Sequence, residues 1–274
     1  DGDKIIAIVA PAYISQFGDD VTPGKFKTAL QVLGFSDVHE VAFGADVGAI
    51  SEAHHYAKEV ATGNLPFLLT SCCPSWSMMA KKFFPTMIDN ISQELTPMVA
   101  TARKVKQEQP DAKVVFIGPC ASKKLEAMRH TVRSDVDFVL TFEELNAMFD
   151  AREIDPASFE EDGSLHDATA AGRGYAVAGG VAGAIEACLK EYYPDVPVHI
   201  EHAESLAECK KVLALAKAGK LNGCMIEGMA CPGGCMGGAG TNVPVAKSSK
   251  ELKKFLASCS KKLPPKGLVD IELN

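Results

Sequence analysis

The sequence lacks several features that would each point to a familiar class of protein. It has no apolar run as long as a membrane-spanning helix, and no signal peptide opens it. Basic residues are not in excess, and the formal net charge of -7 argues against nucleic acid or an anionic membrane as a main partner. An initiator methionine is also missing, because the chain starts at Asp1, and we expect an N-terminal part of a longer chain before it.

Cysteine, by contrast, is plentiful. The chain has 274 residues, 47% of them hydrophobic, which is enough for a large core in one domain or two lobes, and it has nine cysteines. An odd number of cysteines in a chain of this size favours a metal site over a disulfide framework. It also favours a reducing compartment, and we therefore expect a cytoplasmic location. The cysteines at positions 188, 209, 224 and 259 lie in helical or strand patterns, and we interpret them as ordinary core or surface thiols.

Two of the other cysteines lie four residues apart in a glycine-rich stretch. If Cys231 opens a helix, Cys235 lies one turn further on and both thiols share a face. Glycines at positions 233, 234, 237, 238 and 240 would let the backbone approach a bulky inorganic ligand and leave amides free to bond sulfide. The stretch is typical of a cluster-binding site, and an iron-sulfur cluster usually needs about four thiolates.

Further cysteines follow two apolar runs. The run 65–69 leads to Cys72 and Cys73, and the run 114–117 leads to Cys120. Each pattern predicts a strand, then a cysteine at its carboxyl end, then a helix, and ligands bind at such strand ends in open α/β sheets. We therefore expect three cysteine segments to meet at one crevice.

Short apolar runs alternate with helical stretches along the chain, which predicts an α/β fold. We expect two lobes, each a small, mainly parallel sheet flanked by helices, with the metal cluster in the cleft between them. The predicted strands are 5–10, 38–42, 67–72, 114–117, 137–140, 196–201 and 223–226. The predicted helices are 22–33, 45–61, 74–84, 97–107, 142–150, 179–192, 204–218 and 248–259.

The order of these elements also predicts domain boundaries. We place a first lobe at residues 1–108, a second at 109–246, and a C-terminal helix and tail at 247–274. The segment 151–172 is polar and has no periodicity, so we interpret it as a surface excursion.

Three motifs occur together in the chain. They are Thr-Ser-Cys-Cys-Pro-x-Trp at 70–76, Pro-Cys-x-x-Lys-x-x-Glu at 119–126, and Glu-x-Met-x-Cys-x-x-x-Cys-x-Gly-Gly at 227–238. In this order and spacing they resemble the signatures of iron-only hydrogenases, in the catalytic domain that carries the H-cluster. The resemblance covers nearly the whole chain.

The resemblance implies a metal group and its ligands. Cys73, Cys120, Cys231 and Cys235 match the ligands of a 4Fe-4S cluster, and Cys235 also matches the bridge to a di-iron subsite with carbon monoxide, cyanide and azadithiolate ligands. Cys72 matches the thiol that donates protons to the azadithiolate amine. Adjacent residues at a strand end point in different directions, so Cys73 can bind metal while Cys72 stays free. A Cys72 that merely packs in the core is the alternative.

Other positions match residues around the di-iron subsite. Lys123, with Glu126 three residues on, matches a lysine that hydrogen-bonds a cyanide ligand, and a solvated surface pair is the alternative. Met229 matches a methionine near the bridging carbonyl, with ordinary core packing as the alternative. Pro11 and Ala12 belong to the loop after the first strand, and Ala12 stands where some members have serine.

A proton route is implied as well. Glu52 falls on a relay glutamate of the family and Ser92 on a relay serine. Glu52, His55 and Glu59 are spaced to share a helix face. However, His55 stands where a second glutamate is usual and Glu59 where an arginine is usual, and a solvated helix face is the alternative for the three.

Two departures from the family pattern lie close to the subsite. Gly118 stands where highly active members have methionine, and Met98 where they usually have glutamine. The ligands of the di-iron subsite would then have fewer packing and polar partners, which should change the redox potentials of the iron atoms. Among the subgroups of the family, a glycine at position 118 resembles the pattern of the sensory hydrogenases. The favoured hypothesis is therefore reversible heterolytic activation of H2 to protons and electrons, slow and in a sensory or regulatory role.

Two other hypotheses stay open. One is a non-catalytic iron-sulfur scaffold, like the hydrogenase-like proteins of cluster assembly, and the other is a structural zinc or simple 4Fe-4S domain. No ferredoxin-type run of cysteines is present, so electrons would come from a ferredoxin or from a fused or separate iron-sulfur domain. Maturation proteins would install the di-iron subsite, and a sensory role would add a regulatory partner.

Overall fold

The computed structural model describes residues 4–133, 135–161, 165 and 167–273. Asp1, and positions 162–164 and 166 of the predicted polar excursion, lie outside the described residues. In the described part, the strands are β1 (Ile5–Val9), β2 (Asp37–Glu40), β3 (Leu68–Leu69), β4 (Lys113–Ile117), β5 (Phe138–Leu140), β6 (His199–Glu204) and β7 (Cys224–Met229). They form two sheets, with strand orders β2-β1-β4-β5 and β3-β7-β6, and these pairings are all parallel.

Helices cover the sheets. In chain order they are α1 (Pro23–Leu33), α2 (Val41–His55), α3 (Pro74–Phe83), α4 (Pro97–Glu108), α5 (Ser122–Ala127), α6 (Phe142–Ala151), α7 (Ala170–Gly174), α8 (Gly180–Tyr192), α9 (Leu206–Lys217) and α10 (Val245–Ser258). A π-helical segment, Tyr56–Val60, continues α2. Within the described residues, none of these helices combines the length and the apolar character that a membrane span needs.

The sequence of β1 explains why the sheets are parallel and covered on both faces. It reads Ile-Ile-Ala-Ile-Val, and residues 6–9 have no exposed surface. A strand without a polar face must be covered on both sides, which is typical of parallel sheets with flanking helices. The prediction of an α/β fold with mainly parallel sheets is confirmed.

Local signals set several helix starts. Pro23, Pro74 and Pro97 occupy the first turns of α1, α3 and α4, where a missing N–H costs no helical hydrogen bond. The hydroxyl of Thr22 caps α1 by accepting from the amide of Lys25, and Gly34 ends it with φ 120°. These starts were predicted to within one residue.

The central helix α2 was predicted less well. Its residues are buried almost all round, and it packs against α4, α7 and α8. Val41 and Ala42, predicted as the end of a strand, instead open this helix. At Gly44 a side chain would overlap the carbonyl oxygen of Pro97 on α4. A helix buried on every side has no amphipathic pattern, so the sequence could not place its start.

The two sheets do not follow the predicted lobes. β1 and β2 pair with β4 and β5, and β3 pairs with β7. Each sheet thus combines strands from both sides of residue 108, and the predicted boundary there does not separate the two sheets. Parallel strands need long crossover connections, so neighbours in the sequence need not be neighbours in a sheet. β6 also begins three residues later than predicted, in register with β7.

The predicted surface excursion is partly buried. Among its described residues, Leu165, Ala168 and Thr169 are buried and lead into α7. The Asp46 carboxylate on α2 accepts hydrogen bonds from the Thr169 amide at 2.7 Å, the Thr169 hydroxyl at 2.6 Å and the Gly172 amide at 2.9 Å. The prediction is therefore wrong for this part, because polar groups that bond one another can be buried.

The C-terminal region packs back onto the rest of the chain. Leu252 of α10 is fully buried in the core around the larger sheet. Further on, Arg103 and Gln107 of α4 donate to the carbonyl oxygens of Leu273 and Glu272, at 3.0 and 3.1 Å. These bonds hold the tail along α4, beside α2.

Candidate metal centre

Strand ends deliver five cysteines to one place. Cys72 and Cys73 follow β3, Cys120 follows β4, and Cys231 and Cys235 follow β7. Since β4 belongs to one sheet and β3 and β7 to the other, the site lies between the sheets. The five free thiols line one cavity of about 160 Å³. The structure thus brings together the three cysteine segments, as their positions at strand ends predicted.

The rest of the cavity wall is mainly apolar. It includes Pro11, Met98, Phe116 and Met229, and the segment after α7 contributes Tyr175. Of the residues that the structure describes, no three His, Cys, Asp or Glu side chains meet closely enough to hold a single metal ion. The thiols surround a space large enough for a group of several atoms.

The thiols of the cavity interact with one another. Burial raises the pKa of Cys73, Cys231 and Cys235, and the charge of Cys120 raises each of them further. Thiolates confined in this way repel one another, and a positively charged metal group would offset that repulsion. Soft sulfur ligands without a competing carboxylate or imidazole on the wall suit an iron-sulfur cluster.

A buried cation lies on the same wall. The Lys123 ammonium forms an ion pair with Glu126 at 2.7 Å and donates to the Cys72 carbonyl oxygen at 3.3 Å. Glu126 also accepts from the Thr96 hydroxyl at 2.6 Å. Burial alone would lower the pKa of Lys123, but the Glu126 carboxylate and the thiolates raise it overall, so the ammonium stays charged. Both side chains are buried, and the alternative of a solvated surface pair is wrong.

The loop from Cys231 to Cys235 differs from the helix expected there. The Cys231 carbonyl accepts from the Gly234 amide at 3.0 Å in a turn, and a 3-10 helix follows over Gly234–Gly237. Gly233 and Gly234 have φ of 78° and 72°, which side chains disfavour. A side chain at Gly234 would also come within 2.5 Å of the Ala178 amide nitrogen. Close packing between protein segments therefore accounts for Gly233 and Gly234, and the predicted approach of the backbone to a ligand stays a prediction, since Gly234 and Gly238 also line the cavity.

Two predicted cofactor-binding positions lie behind the wall. Ala12 is completely buried in the core around the larger sheet. At Gly118, a side chain would come within 2.6 Å of the Phe116 ring and 2.9 Å of the Ala10 side chain. The Phe116 ring therefore fills the space beside Gly118 and itself lines the cavity. The motifs gave no indication that Phe116 lines the cavity, because a residue within an apolar strand is normally expected in the hydrophobic core.

A buried acid lies near Cys72. The Ser92 hydroxyl and the Ser71 amide lie close enough to the Glu52 carboxyl group to lower its pKa. Burial raises the pKa of Glu52 to about 8, and the charge of Glu94 contributes. Burial also raises the pKa of Cys72, followed by the charge of Glu52. Both groups therefore hold protons at neutral pH, and the structure places the predicted relay residue Ser92 near the Glu52 carboxyl group.

Tyr175 is a cavity residue that sequence reasoning missed. In the part of the chain described, its buried hydroxyl has no hydrogen-bond partner. It packs near Gly48, one turn before Glu52 on α2. Burial, and then the charges of Glu52 and Cys72, raise its pKa. Its place just after a polar, aperiodic segment carried no signal that it would reach the site.

The other two residues of the predicted relay lie elsewhere. His55 and Glu59 line a separate surface groove, together with Glu94 and the C-terminal tail. Glu52 is buried with 3% of its surface exposed, and α2 changes to π-helix after His55. The regular helix face that would have aligned the three residues is thus interrupted. Glu94, which belongs to no motif, was missed by sequence reasoning.

The four cysteines interpreted as ordinary thiols lie apart from this cavity. Cys188 and Cys209 are fully buried in hydrophobic cores, and Cys224 is half-buried at the start of β7. Cys259 accepts a hydrogen bond from Arg173 at 3.2 Å. Each of them has a structural environment that needs no metal.

A cavity between parallel sheets, walled by cysteines from strand ends and by one buried lysine, defines an α/β protein of the kind that binds a metal-sulfur cluster. Within that class the chain belongs to the family described as "Iron only hydrogenase large subunit, C-terminal domain", whose model matches residues 3–239. The family membership that the three motifs indicated is confirmed.

Curated relatives agree with this membership. The chain is 31% identical over 279 residues to iron hydrogenase 1 of Clostridium pasteurianum, an alignment that covers 86% of this chain and 48% of the relative. It is 30% identical over 295 residues to the periplasmic [Fe] hydrogenase large subunit of Nitratidesulfovibrio vulgaris, covering 88% of this chain and 69% of the relative. The chain therefore spans about half the length of the Clostridium relative.

Solved structures show the same fold. The [FeFe]-hydrogenase HydA1 from Chlamydomonas reinhardtii superposes with a TM-score of 0.77 at 22% identity, over 97% of this chain and 87% of that one. A HydA structure concerned with stepwise H-cluster assembly gives a TM-score of 0.73 at 24% identity, over 91% and 84%. The fold predicted from the family resemblance is confirmed.

A different kind of relative matches part of the chain. The cytosolic Fe-S cluster assembly factor NAR1 of Kluyveromyces lactis is 33% identical over 117 residues, which cover 43% of this chain and 25% of the relative. The family relationship therefore extends to a protein named for cluster assembly.

Proposed function

We propose that this chain is an H-cluster domain that activates H2 reversibly and heterolytically. The observation that carries the proposal is the cavity in which Cys73, Cys120, Cys231 and Cys235 face one another. These thiols would hold a 4Fe-4S cluster, and Cys235 would also bridge to a di-iron subsite with carbon monoxide, cyanide and azadithiolate ligands. When bound, this group supplies the redox-active iron at which H2 is formed or split.

The residues of the wall would orient and shield that group. Lys123 brings a positive charge to the side of its anionic ligands, and Glu126 with Thr96 fixes the ammonium in place. Apolar side chains, among them Met98 and Met229, line much of the cavity and would limit the access of water to a bound group. In this environment charges interact more strongly than they would in solvent.

Cys72 would carry protons into and out of the cavity. Its raised pKa keeps a proton on Sγ at neutral pH, and Glu52, also protonated, lies next on the path. The Ser92 hydroxyl lies near the Glu52 carboxyl group and would take part in the path beside it. Once one proton has entered this path at one end and another has left it at the other end, Cys72, Ser92 and Glu52 have regained their starting protonation states.

An infrared spectrum tests the proposal directly. The protein would be purified without oxygen, reconstituted with a 4Fe-4S cluster and loaded with a synthetic di-iron subsite. We expect sharp carbonyl and cyanide bands that change under H2. A protein with an intact 4Fe-4S cluster and no such bands would contradict the proposal.

Replacing Cys72 tests its role as proton donor. We expect Cys72→Ala to lower turnover by about a hundredfold or more while the infrared bands persist, because general acid catalysis contributes on this scale. Cys224→Ala, at a half-buried thiol at the start of β7, is the matched control and should keep its activity. Full activity in Cys72→Ala would exclude the role.

We further infer that turnover is slow and serves a sensory or regulatory role. The support is the wall itself, because Gly118 contributes no side chain, Phe116 and Ala10 fill the space beside it, and Met98 offers no amide. The distal iron's ligands would thus have few polar partners. A matured protein that turns over as fast as metabolic hydrogenases would contradict this inference.

A non-catalytic iron-sulfur scaffold is the second candidate function. The partial similarity to NAR1 favours it. Cys72, Lys123, Glu126 and Met229, which would serve the di-iron subsite, are all present and weigh against it. The infrared experiment separates the two, since a scaffold would keep the 4Fe-4S cluster and show no carbonyl bands.

Electron carriers and helper proteins follow from the same proposal. A ferredoxin, or a fused or separate iron-sulfur domain, would exchange electrons with the cluster, and maturation proteins would install the di-iron subsite. A regulatory partner would receive the signal in a sensory role. The cytoplasmic location stays a prediction, because one relative carries the name periplasmic.

A further inference from the structure

The proton path from Cys72 reaches a buried acid but needs an exit. Glu52 is almost fully enclosed, and His55 and Glu59 line a groove that Glu52 does not reach. His55 is not among the groups that act on the Glu52 carboxyl group, whereas Ser92, Ser71 and Glu94 are. If the proposed function holds, the route from Glu52 to solvent is therefore sought among these residues.

Two serines fix residue 94 beside Glu52. The Ser92 side chain and the Ser71 backbone lie close enough to the Glu52 carboxyl group to lower its pKa. The Ser92 hydroxyl oxygen accepts from the Glu94 amide at 3.3 Å, and the Ser71 hydroxyl donates to the Glu94 carbonyl oxygen at 3.2 Å. The backbone of Glu94 is thus tied to the same two residues that lie near the buried acid.

The Glu94 side chain extends from this point to the surface. It is half-buried and lines the groove that also contains Ser51, His55 and Glu59. The C-terminal tail, which α4 holds in place, also lines the groove through Ile271 and Leu273. Glu94 is therefore a carboxylate with contacts to the buried pair at its backbone and access to solvent at its side chain.

We propose that Glu94 continues the proton path, receiving the proton from the Glu52–Ser92 pair and releasing it into the groove beneath the C-terminal tail. This inference rests on the proposed function. For each proton that H2 splitting releases in the cavity, Cys72 takes up one and gives one to Glu52, Glu52 gives one to Glu94 through the Ser92 hydroxyl, and Glu94 gives one to solvent. Every group then regains its starting state, so no other reactant is needed.

Glu59 lacks these connections. It lines the same groove, but its carboxylate accepts from the Asn64 side chain at 3.1 Å, away from the serines. Its position in the π-helical segment follows the end of α2. Glu59→Gln therefore removes a carboxylate from the groove without touching the path, and it is the matched control for Glu94→Gln.

The first test uses the cluster-free protein. Infrared titration would follow the carboxylic C=O band of Glu52, identified by its loss in Glu52→Gln. We expect Glu94→Gln to shift the pKa of Glu52 downward, because the Glu94 charge helps to raise it, and Glu59→Gln to leave it in place. An unchanged Glu52 titration in Glu94→Gln would overturn the proposed proximity of the two carboxyl groups.

The second test uses protein loaded with the complete cluster. We expect Glu94→Gln to slow H2 turnover about tenfold or more, Glu94→Asp to restore most of it, and Glu59→Gln to have little effect, since relay groups contribute through their acidity. Acetate added as a small proton carrier should rescue Glu94→Gln in part. Equal turnover in Glu94→Gln and Glu59→Gln would overturn the proposal.

The two proposals fail in distinguishable ways. Absent carbonyl bands in the loaded wild-type protein would remove the proposed function, and with it the role of this exit. Normal bands and turnover, with no loss in Glu94→Gln, would remove only the role of Glu94.

Discussion

At the scale of single residues, Glu52 is an acid that the fold keeps neutral. Burial raises its pKa from about 4.5 to about 8, whereas in the unfolded chain it ionises at the lower value. The folded state therefore binds the extra proton between these two pH values, and stability falls as the pH rises through this window. Burying this carboxyl group is tolerable only as long as it stays protonated.

Glu52→Gln should remove this pH dependence in the cluster-free protein. Each pH unit in the window corresponds to about 1.4 kcal/mol, so we expect the variant to gain roughly 2 to 5 kcal/mol over wild type between pH 5 and pH 8. Urea unfolding at the two pH values measures this difference. Glu143→Gln, on the exposed part of α6, is the control. Parallel stability curves for wild type and Glu52→Gln would contradict the prediction.

Tyr175 offers a second prediction at this scale. Its buried hydroxyl has no hydrogen-bond partner among the residues described, so burying this group lowers the stability of the cluster-free protein. We expect Tyr175→Phe to raise the free energy of unfolding by about 1 kcal/mol, because the penalty of an unsatisfied hydroxyl disappears. Chemical denaturation gives the value. A clear loss of stability would show that the hydroxyl is bonded after all.

At the scale of elements, the contact between α2 and α7 depends on one carboxylate. Asp46 accepts three hydrogen bonds from Thr169 and Gly172, and α7 leads directly to Tyr175 on the cavity wall. Burial raises the pKa of Asp46 to about 6, so the carboxylate is ionised at neutral pH. The position of the wall is thus coupled to a bond network outside the cavity.

Asp46→Ala should loosen α7 selectively. It leaves the buried Thr169 amide and hydroxyl without an acceptor and the Gly172 amide with only a long bond of 3.5 Å to the Thr169 hydroxyl oxygen, so we expect a loss of about 2 to 4 kcal/mol in unfolding free energy at pH 7. Hydrogen exchange should accelerate at the Thr169 and Gly172 amides. Asp155→Ala removes an exposed cap on the Ala157 amide and should cost about 1 kcal/mol or less. Similar losses for the two variants would count against the proposed importance of Asp46.

At the scale of the whole molecule, the candidate cluster would join the two sheets. Cys120 follows a strand of the larger sheet, and the other proposed ligands follow strands of the smaller one. A group bound only by the folded chain stabilises it, and one held across both sheets should do so for the entire chain. Cluster binding and global stability are therefore expected to rise together.

Reconstitution with iron and sulfide tests this expectation. Wild type should bind about four iron atoms per chain and unfold at a higher temperature in a single transition. Cys120→Ala should lose most of both effects, and Cys224→Ala should keep them. Iron content and scanning calorimetry measure the outcome. A Cys120→Ala protein with unchanged iron and midpoint would exclude Cys120 as a ligand.

The sequence by itself determined the features that depend on neighbouring residues. Prolines at 23, 74 and 97 marked helix starts because the constraint acts on the residue that carries the ring. Apolar runs followed by cysteines indicated strands with thiols at their carboxyl ends. A parallel sheet gathers those ends at one edge, which explains the meeting of the segments after β3 and β7, whereas the approach of Cys120 from the other sheet depends on how the two sheets pack.

Only the tertiary structure decided which distant segments meet. The strand pairing, the burial of Tyr175 and the space that Phe116 fills beside Gly118 depend on packing between elements far apart in the chain. Glu94 belongs to no motif, and two serines together with the C-terminal tail give it a place in the candidate path. Local sequence cannot encode such placements, because they arise from long-range contacts made at once when the core forms.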